Sequence, residues 1–132
     1  MGDRRFATLP DGSLSFREAD ELADRTANVL LDLGYGPGQV VAICAGNSTA
    51  VLATWFACAK IGAVFLAVNG LLSGEPLRSV LAQSGARVVI CDDRRYPAVA
   101  QARAGLPALR HLLVTGVSLA ARAQSFDALV GA

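Results

Sequence analysis

Asp92 and Asp93 stand side by side after the apolar run Arg87–Cys91. Open α/β sheets bind ligands at the carboxyl ends of their strands, so such a pair can serve a magnesium pocket or a phosphoacceptor. A receiver-type phosphoacceptor needs a further aspartate after another strand and a later lysine, and the sole lysine is Lys60. Sites for hard cations need several converging oxygens, and only two side chains stand here. The pair therefore reads as a solvated turn capping the next helix. His111, the only histidine, opens an apolar run beside Arg110. Ser48, Ser73 or Cys91 could act as its nucleophile only if the fold brought them together, and none lies in G-x-S-x-G. Gly34, Gly36 and Gly38 form G-x-G-x-G, but they follow a helix and precede a strand. A dinucleotide fingerprint needs the reverse order, so these glycines read as a helix stop and a tight turn. Gly46-Asn47-Ser48 joins a strand to a helix, where Asn47 or Ser48 can cap the helix and the free N–H groups can also hold an anion.

The elements that would position these residues are legible from their ends. Ser15 followed by Glu18 is a capping box, and Ala19, Leu22, Ala23, Thr26, Leu30 and Leu33 form one stripe of a helix that stops at Gly34. Gln39–Ala45 is continuously apolar, as expected of a strand covered on both faces. A second helix is expected from Thr49 to about Lys60, with Leu52, Trp55, Phe56 and Ala59 on one face. It is apolar all round, so Trp55 and Phe56 read as core packing. Ala63–Val68 is the next strand. Ser73 can cap a third helix with Leu77, Val80 and Leu81 inward and Gly85 as its stop. Arg87–Cys91 is a strand, Pro97–Ala104 a weaker helix, His111–Thr115 a strand and Ser125–Val130 a helical turn. Strands alternating with helices predict a layered α/β fold with a mostly parallel sheet.

Composition narrows the function classes. The 132 residues form one domain, with 1–14 a lead-in, 15–93 the core and 94–132 a weaker helix–strand region. The chain is 53% hydrophobic and 17% charged, against roughly 45–50% and about 25% for ordinary soluble domains. This excess, with mean hydropathy +0.43, predicts extensive burial or an apolar surface for a partner. Lys and Arg number 12 and Asp and Glu 11, interleaved, which argues against nucleic-acid binding. Cys44, Cys58 and Cys91 match neither a disulfide framework nor a zinc pattern, so buried reduced thiols in a cytoplasmic protein are expected. Met1–Ser13 lacks the apolar core of a signal peptide. Ala50–Val68 is long enough to span a bilayer, but Lys60 near its centre would cost roughly 2.5–3.5 kcal/mol. Two buried elements joined at Lys60–Gly62 are expected, with no transmembrane span.

The order from Ser15 to Asp93 resembles the opening of the adenylate-forming enzymes (acyl- and aryl-CoA synthetases, adenylation domains, luciferases). The residues that carry the resemblance are SFREADELADRTAN, LGYGPGQVVAI, NSTA, AKIGAVFLAVN and SGARVVICDD. NGLLSGEPLR leans toward the fatty-acid transport and very-long-chain branch, and SFDALV resembles the short helix ahead of the family's phosphate loop. The resemblance implies a Rossmann-like N-terminal subdomain of an enzyme that activates a carboxylate as an acyl-adenylate. It also implies ATP, Mg²⁺ and CoA for the full-length enzyme. The family's Ser/Thr/Gly-rich loop ending in lysine, its adenine and ribose motifs and its C-terminal lysine have no counterpart here. No catalytic, cofactor-binding or metal residue is therefore carried over, Lys60 matches a structural helix end, and the chain is expected to be silent alone. Its expected partner is the remainder of the synthetase, or a second copy through apolar surface. The alternatives are an interaction module with an apolar face and a small α/β ligand-binding domain using the strand ends.

Overall fold

Among the described residues, five parallel strands and five helices largely alternate. A computed structural model describes residues 5–9, 12–46, 48–115 and 124–130. Strands β1 (Arg5–Leu9) and β2 (Gly12–Ser15) form an antiparallel hairpin, where the sequence reading assigns no element. Neither RFATL nor GSLS alternates cleanly between apolar and polar residues, so the period-two signal of a strand is weak there. Then follow α1 (Phe16–Asp32), β3 (Val40–Cys44), α2 (Thr49–Ile61), β4 (Val64–Ala67) and α3 (Gly74–Ser84). β5 (Val88–Asp92), α4 (Tyr96–Arg103), β6 (His111–Thr115), β7 (Gln124–Ser125) and α5 (Phe126–Val130) complete the order. The main sheet runs β4-β3-β5-β6-β7, parallel at every pairing. The two-residue β7 is a further element that the sequence reading lacks.

Alternate residues of each central strand feed two separate cores. Val41, Ile43, Val88, Ile90 and Leu113 pack with α1, α2 and α5. Ala42, Cys44, Val89, Cys91, Leu112 and Val114 pack with α3 and α4. This two-sided burial is why the strands read as unbroken apolar runs.

The helix ends follow the local chemistry. Ser15 Oγ accepts from Glu18 N at 3.1 Å, and Glu18 Oε1 accepts from Ser15 N at 2.9 Å, closing the expected capping box. Ser15→Ala is expected to lower stability by about 1 kcal/mol. Denaturant unfolding reads this directly, and an unchanged midpoint would contradict it. Gly62, in the left-handed conformation at φ +74, ends α2. The apolar stretch is thus a helix and a strand, and no helix among the described residues is long and apolar enough to cross a membrane. Ser73 occupies the N-cap position of α3, but its side chain makes no capping bond among the described residues.

The inward face of α2 differs from the expectation. Ala50, Ala53, Thr54, Ala57 and Cys58 are the buried residues, while Trp55 is 55% exposed and stacks on Phe56 with ring centroids 5.5 Å apart. The neighbouring helix α1 buries Ala19, Ala23, Thr26, Ala27 and Leu30. Two alanine-rich faces bring the helix backbones close and leave no room for an indole, so the bulky residues turn outward. A helix apolar on every side gives no moment from which this choice can be read.

Candidate functional site

A parallel sheet of this order reverses its strand direction of growth between β3 and β5. The crevice outside the carboxyl ends of those strands is where open α/β sheets hold ligands. Three loops meet there, following β3, β4 and β5. Asp92, the last residue of β5, ties two of them together. Its Oδ2 accepts from Gly46 N at 3.0 Å and its Oδ1 from Arg95 N at 3.0 Å. Arg95 Nη1 donates to Oδ2 at 2.6 Å. The expected solvated turn is thus half right: Asp93 is exposed, whereas Asp92 is partly buried and joins separate segments.

Arg95 fills the crevice. Its guanidinium lies against Gly70 so closely that a Cβ there would overlap Nε, with Cζ and Nη2 at 2.9 Å. Arg95 Nε has no hydrogen-bond partner among the described residues. Gly70→Ala is therefore expected to displace the guanidinium from Asp92 and cost about 1–2 kcal/mol, in the range for overpacking. In an Arg95→Ala background the same substitution should cost nearly nothing, because the overlapping atoms are gone. A double-mutant cycle by urea unfolding measures this coupling, and additive losses would refute it. Gly70 and Arg95 are site residues that the sequence reading missed, and Gly46, read there only as part of a possible anion-holding turn, donates instead to Asp92. The only signal was the Asp92–Arg95 spacing at the end of an apolar strand.

The other candidates lie apart. Ser48 caps α2, its Oγ accepting from Val51 N at 3.4 Å, while Asn47 lies outside the described residues. His111 pairs in register with Val88, and Asp92 with Thr115. Four residues of strand separate the two positions, about 13 Å, so the imidazole sits at the opposite edge from Ser48 and Asp92. There His111 Nδ1 meets Tyr35 Oη at 2.5 Å, and Tyr35 Oη lies 3.1 Å from Arg87 O. Among the described residues no Ser–His–Asp arrangement assembles. Gly34 and Gly38 lie before β3, away from the crevice, and Gly38 N donates to Gly62 O at 2.9 Å. Lys60 bridges helices by binding Asp20 at 2.8 Å and Asp24 at 2.9 Å, and these bonds raise its pKa. A depression of about 480 Å³ between α4 and β6 is lined by Tyr96, Ala100, Arg103, Ala104 and Leu112, with no acid–base pair.

All three cysteines are buried free thiols. Burial pushes Cys58 up to about 11. It pushes Cys91 up to about 12, with Cys44 and Asp92 adding to the rise. Cys44 is raised chiefly by burial, with Arg95 opposing the shift. Thiols with raised folded pKa values stabilise the fold fully below their ordinary value, and this contribution is lost as pH climbs through the folded values. Stability should therefore fall from about pH 9 toward pH 12, over the range of the cited thiols. Thermal melts across that range should show a smaller alkaline loss for Cys58→Ala than for the parent. Identical slopes would show that the thiol contributes nothing.

Among the described residues, no group of three or more His, Cys, Asp or Glu is placed to hold a metal ion. Asp92 is committed to Arg95 and two backbone N–H groups, and Glu75 is committed to Arg78. This donor set does not fit a magnesium–nucleotide.

The chain nevertheless matches a defined group of enzymes along nearly its whole length. A family profile described as "AMP-binding enzyme" matches residues 1–129. The medium/long-chain-fatty-acid–CoA ligase FadD6 of Mycobacterium tuberculosis is 37% identical over 100 residues, 76% of this chain and 17% of that enzyme. A crotonobetaine/carnitine–CoA ligase of Escherichia coli is 33% identical over 108 residues, 81% of this chain and 21% of that enzyme. The anthranilate CoA ligase AuaEII, solved with anthranoyl-AMP, superposes with a TM-score of 0.89 at 28% identity. That match covers 92% of this chain and 24% of AuaEII. The chain thus spans less than a quarter of these relatives, and its α/β layers coincide with the corresponding part of AuaEII. It belongs to the AMP-binding enzyme family.

Proposed function

We propose that this chain forms the N-terminal α/β part of an ATP-dependent acyl-CoA synthetase of fatty-acyl type, in which it acts as scaffold. The superposition on a CoA ligase at TM-score 0.89 carries the synthetase reading, and the likeness to the fatty-acid–CoA ligase FadD6 supports the acyl class. In that enzyme a carboxylate and ATP give an acyl-adenylate and pyrophosphate, and the thiol of CoA then takes the acyl group. Mg²⁺–ATP and CoA are held by other parts of the enzyme. The separation of Ser48, Asp92 and His111 and the engagement of Asp92 by Arg95 support a scaffold role for these residues.

The partner in this reading is the rest of the synthetase. It covers the apolar residues that stand outside the two cores, among them Trp55, Val64 and Leu71, which are 55%, 49% and 90% exposed. A parallel edge strand such as β4 also presents unpaired backbone groups.

ATP–pyrophosphate exchange tests the proposal. The isolated chain should give no exchange above a blank with any fatty acid. The complete enzyme carrying this segment should give fatty-acid-dependent exchange. Turnover by the isolated chain, with contaminants excluded, would overturn the scaffold role. Absence of exchange in the complete enzyme would overturn the synthetase reading.

A further inference from the structure

Cys44 and Cys91 are direct partners in the register of β3 and β5. Both side chains enter the same core, on the α3–α4 side of the sheet. Neighbouring strands lie about 4.7–4.9 Å apart, inside the 4.4–6.8 Å span of Cα atoms that a disulfide bridges. Cys58 packs into the other core, across the sheet, so the fold separates it from this pair. Cys44 ends β3, and Cys91 precedes the last residue of β5. The pair thus lies under the loops joined by Asp92 and Arg95.

We propose that Cys44 and Cys91 are an oxidisable pair, which closes to an intramolecular disulfide when a small-molecule disulfide reaches it through opening of the carboxyl edge. At 1% and 0% exposure, neither sulfur meets a reagent in the closed fold, so opening sets the rate. The reaction balances as thiol–disulfide exchange. The Cys44 thiolate attacks one sulfur of glutathione disulfide, forming a mixed disulfide and releasing one glutathione thiolate. The Cys91 thiolate then attacks the Cys44 sulfur and releases the second. The two protein thiol protons end on the two glutathiones, and the oxidant is reduced. Cys44 goes first because the Arg95 guanidinium offsets part of the burial and Asp92 effects that oppose its thiolate, whereas no cation offsets them at Cys91. The product carries no charge, so the apolar core that opposes a thiolate accepts it. The bond would staple β3 to β5 beneath the crevice and close the loop that carries α2, β4 and α3.

Incubation of the folded chain with glutathione disulfide in sub-denaturing urea, acid quench and non-reducing peptide mapping tests the assignment. A linked Cys44–Cys91 peptide is expected in about tenfold excess over any pair containing Cys58, as the registered geometry dictates. In denaturing guanidinium the preference should reverse to Cys44–Cys58, because shorter loops close at lower entropic cost. Pairs containing Cys58 under folding conditions, persistent glutathione adducts on Cys44 or Cys91, or three unmodified thiols would each overturn the proposal. The experiment reads linkage alone, so its failure would leave the synthetase reading untouched.

Discussion

Replacing Asp92 by alanine is expected to lower the unfolding free energy of the chain by about 2–3 kcal/mol, the scale of losing hydrogen bonds to a partly buried charge. One carboxylate accepts from Gly46 N, Arg95 N and Arg95 Nη1. Its removal leaves Gly46 N–H and a guanidinium without this acceptor and Arg95 N–H with only the main-chain carbonyl of residue 92 at 3.2 Å, in a region where Asp92 and Arg95 side chains are only about a quarter exposed. Arg95→Ala should cost less, about 1 kcal/mol, because Asp92 then keeps both backbone donors and regains water. Asp92→Asn should fall between them: the amide oxygen still accepts, but its NH₂ turns a donor toward donors. Guanidinium unfolding of the three variants gives the order directly. Equal losses for Asp92→Ala and Arg95→Ala would show that the ion pair, and not the loop ties, carries the stabilisation. Since these ties lie at the crevice, the same variants should loosen the loops after β3 and β5 first, visible as faster amide exchange at Gly46.

The difference between what could and could not be read from the sequence follows the range of the interactions. The Ser15–Glu18 capping box, the stop at Gly62 and the unbroken runs of β3, β5 and β6 depend on neighbours a few residues away, and each stands in the fold as expected. The α2 face does not, because its orientation is set by the alanines of α1 and not by its own pattern. Leu52, Trp55 and Phe56 look like the core stripe by size, yet close helix packing selects Ala50, Ala53 and Ala57. At the crevice, Asp92 was visible as a residue at a strand end. Its bond to Gly46 joins positions on different strands, and Gly70 matters only because Arg95 crosses the loop to reach it. His111 illustrates the converse. Its chemistry is general, but the parallel register places it at the edge opposite Asp92, beside Tyr35.

Ile90→Ala is expected to be the most damaging single truncation considered, costing about 3–4 kcal/mol, within the range for emptied core sites. β5 is the central strand of the five, and Ile90 is 0% exposed in the core shared with α1, α2 and α5. It pairs with Ile43 on one side and Leu113 on the other, so three branched or bulky side chains stand in a row in the core that also holds Leu30 and Tyr35. A parallel strand held by neighbours on both sides cannot shift to fill the space, and most of the lost volume must remain as a cavity. Ile90→Val keeps the β-branch and removes one methylene, so about 1 kcal/mol is expected. Leu71→Ala provides the matched control, since Leu71 is 90% exposed and should change stability by less than about 0.5 kcal/mol. Urea unfolding with fixed m-values would read all three. A loss near 1 kcal/mol for Ile90→Ala would mean that α1 and α2 settle onto the sheet. That outcome would show that the helix layer, and not only the strand, can relax around the emptied site. A rigid row of this kind would suit the proposed scaffold role, because the crevice loops hang from β3 and β5, two of the three strands that carry it.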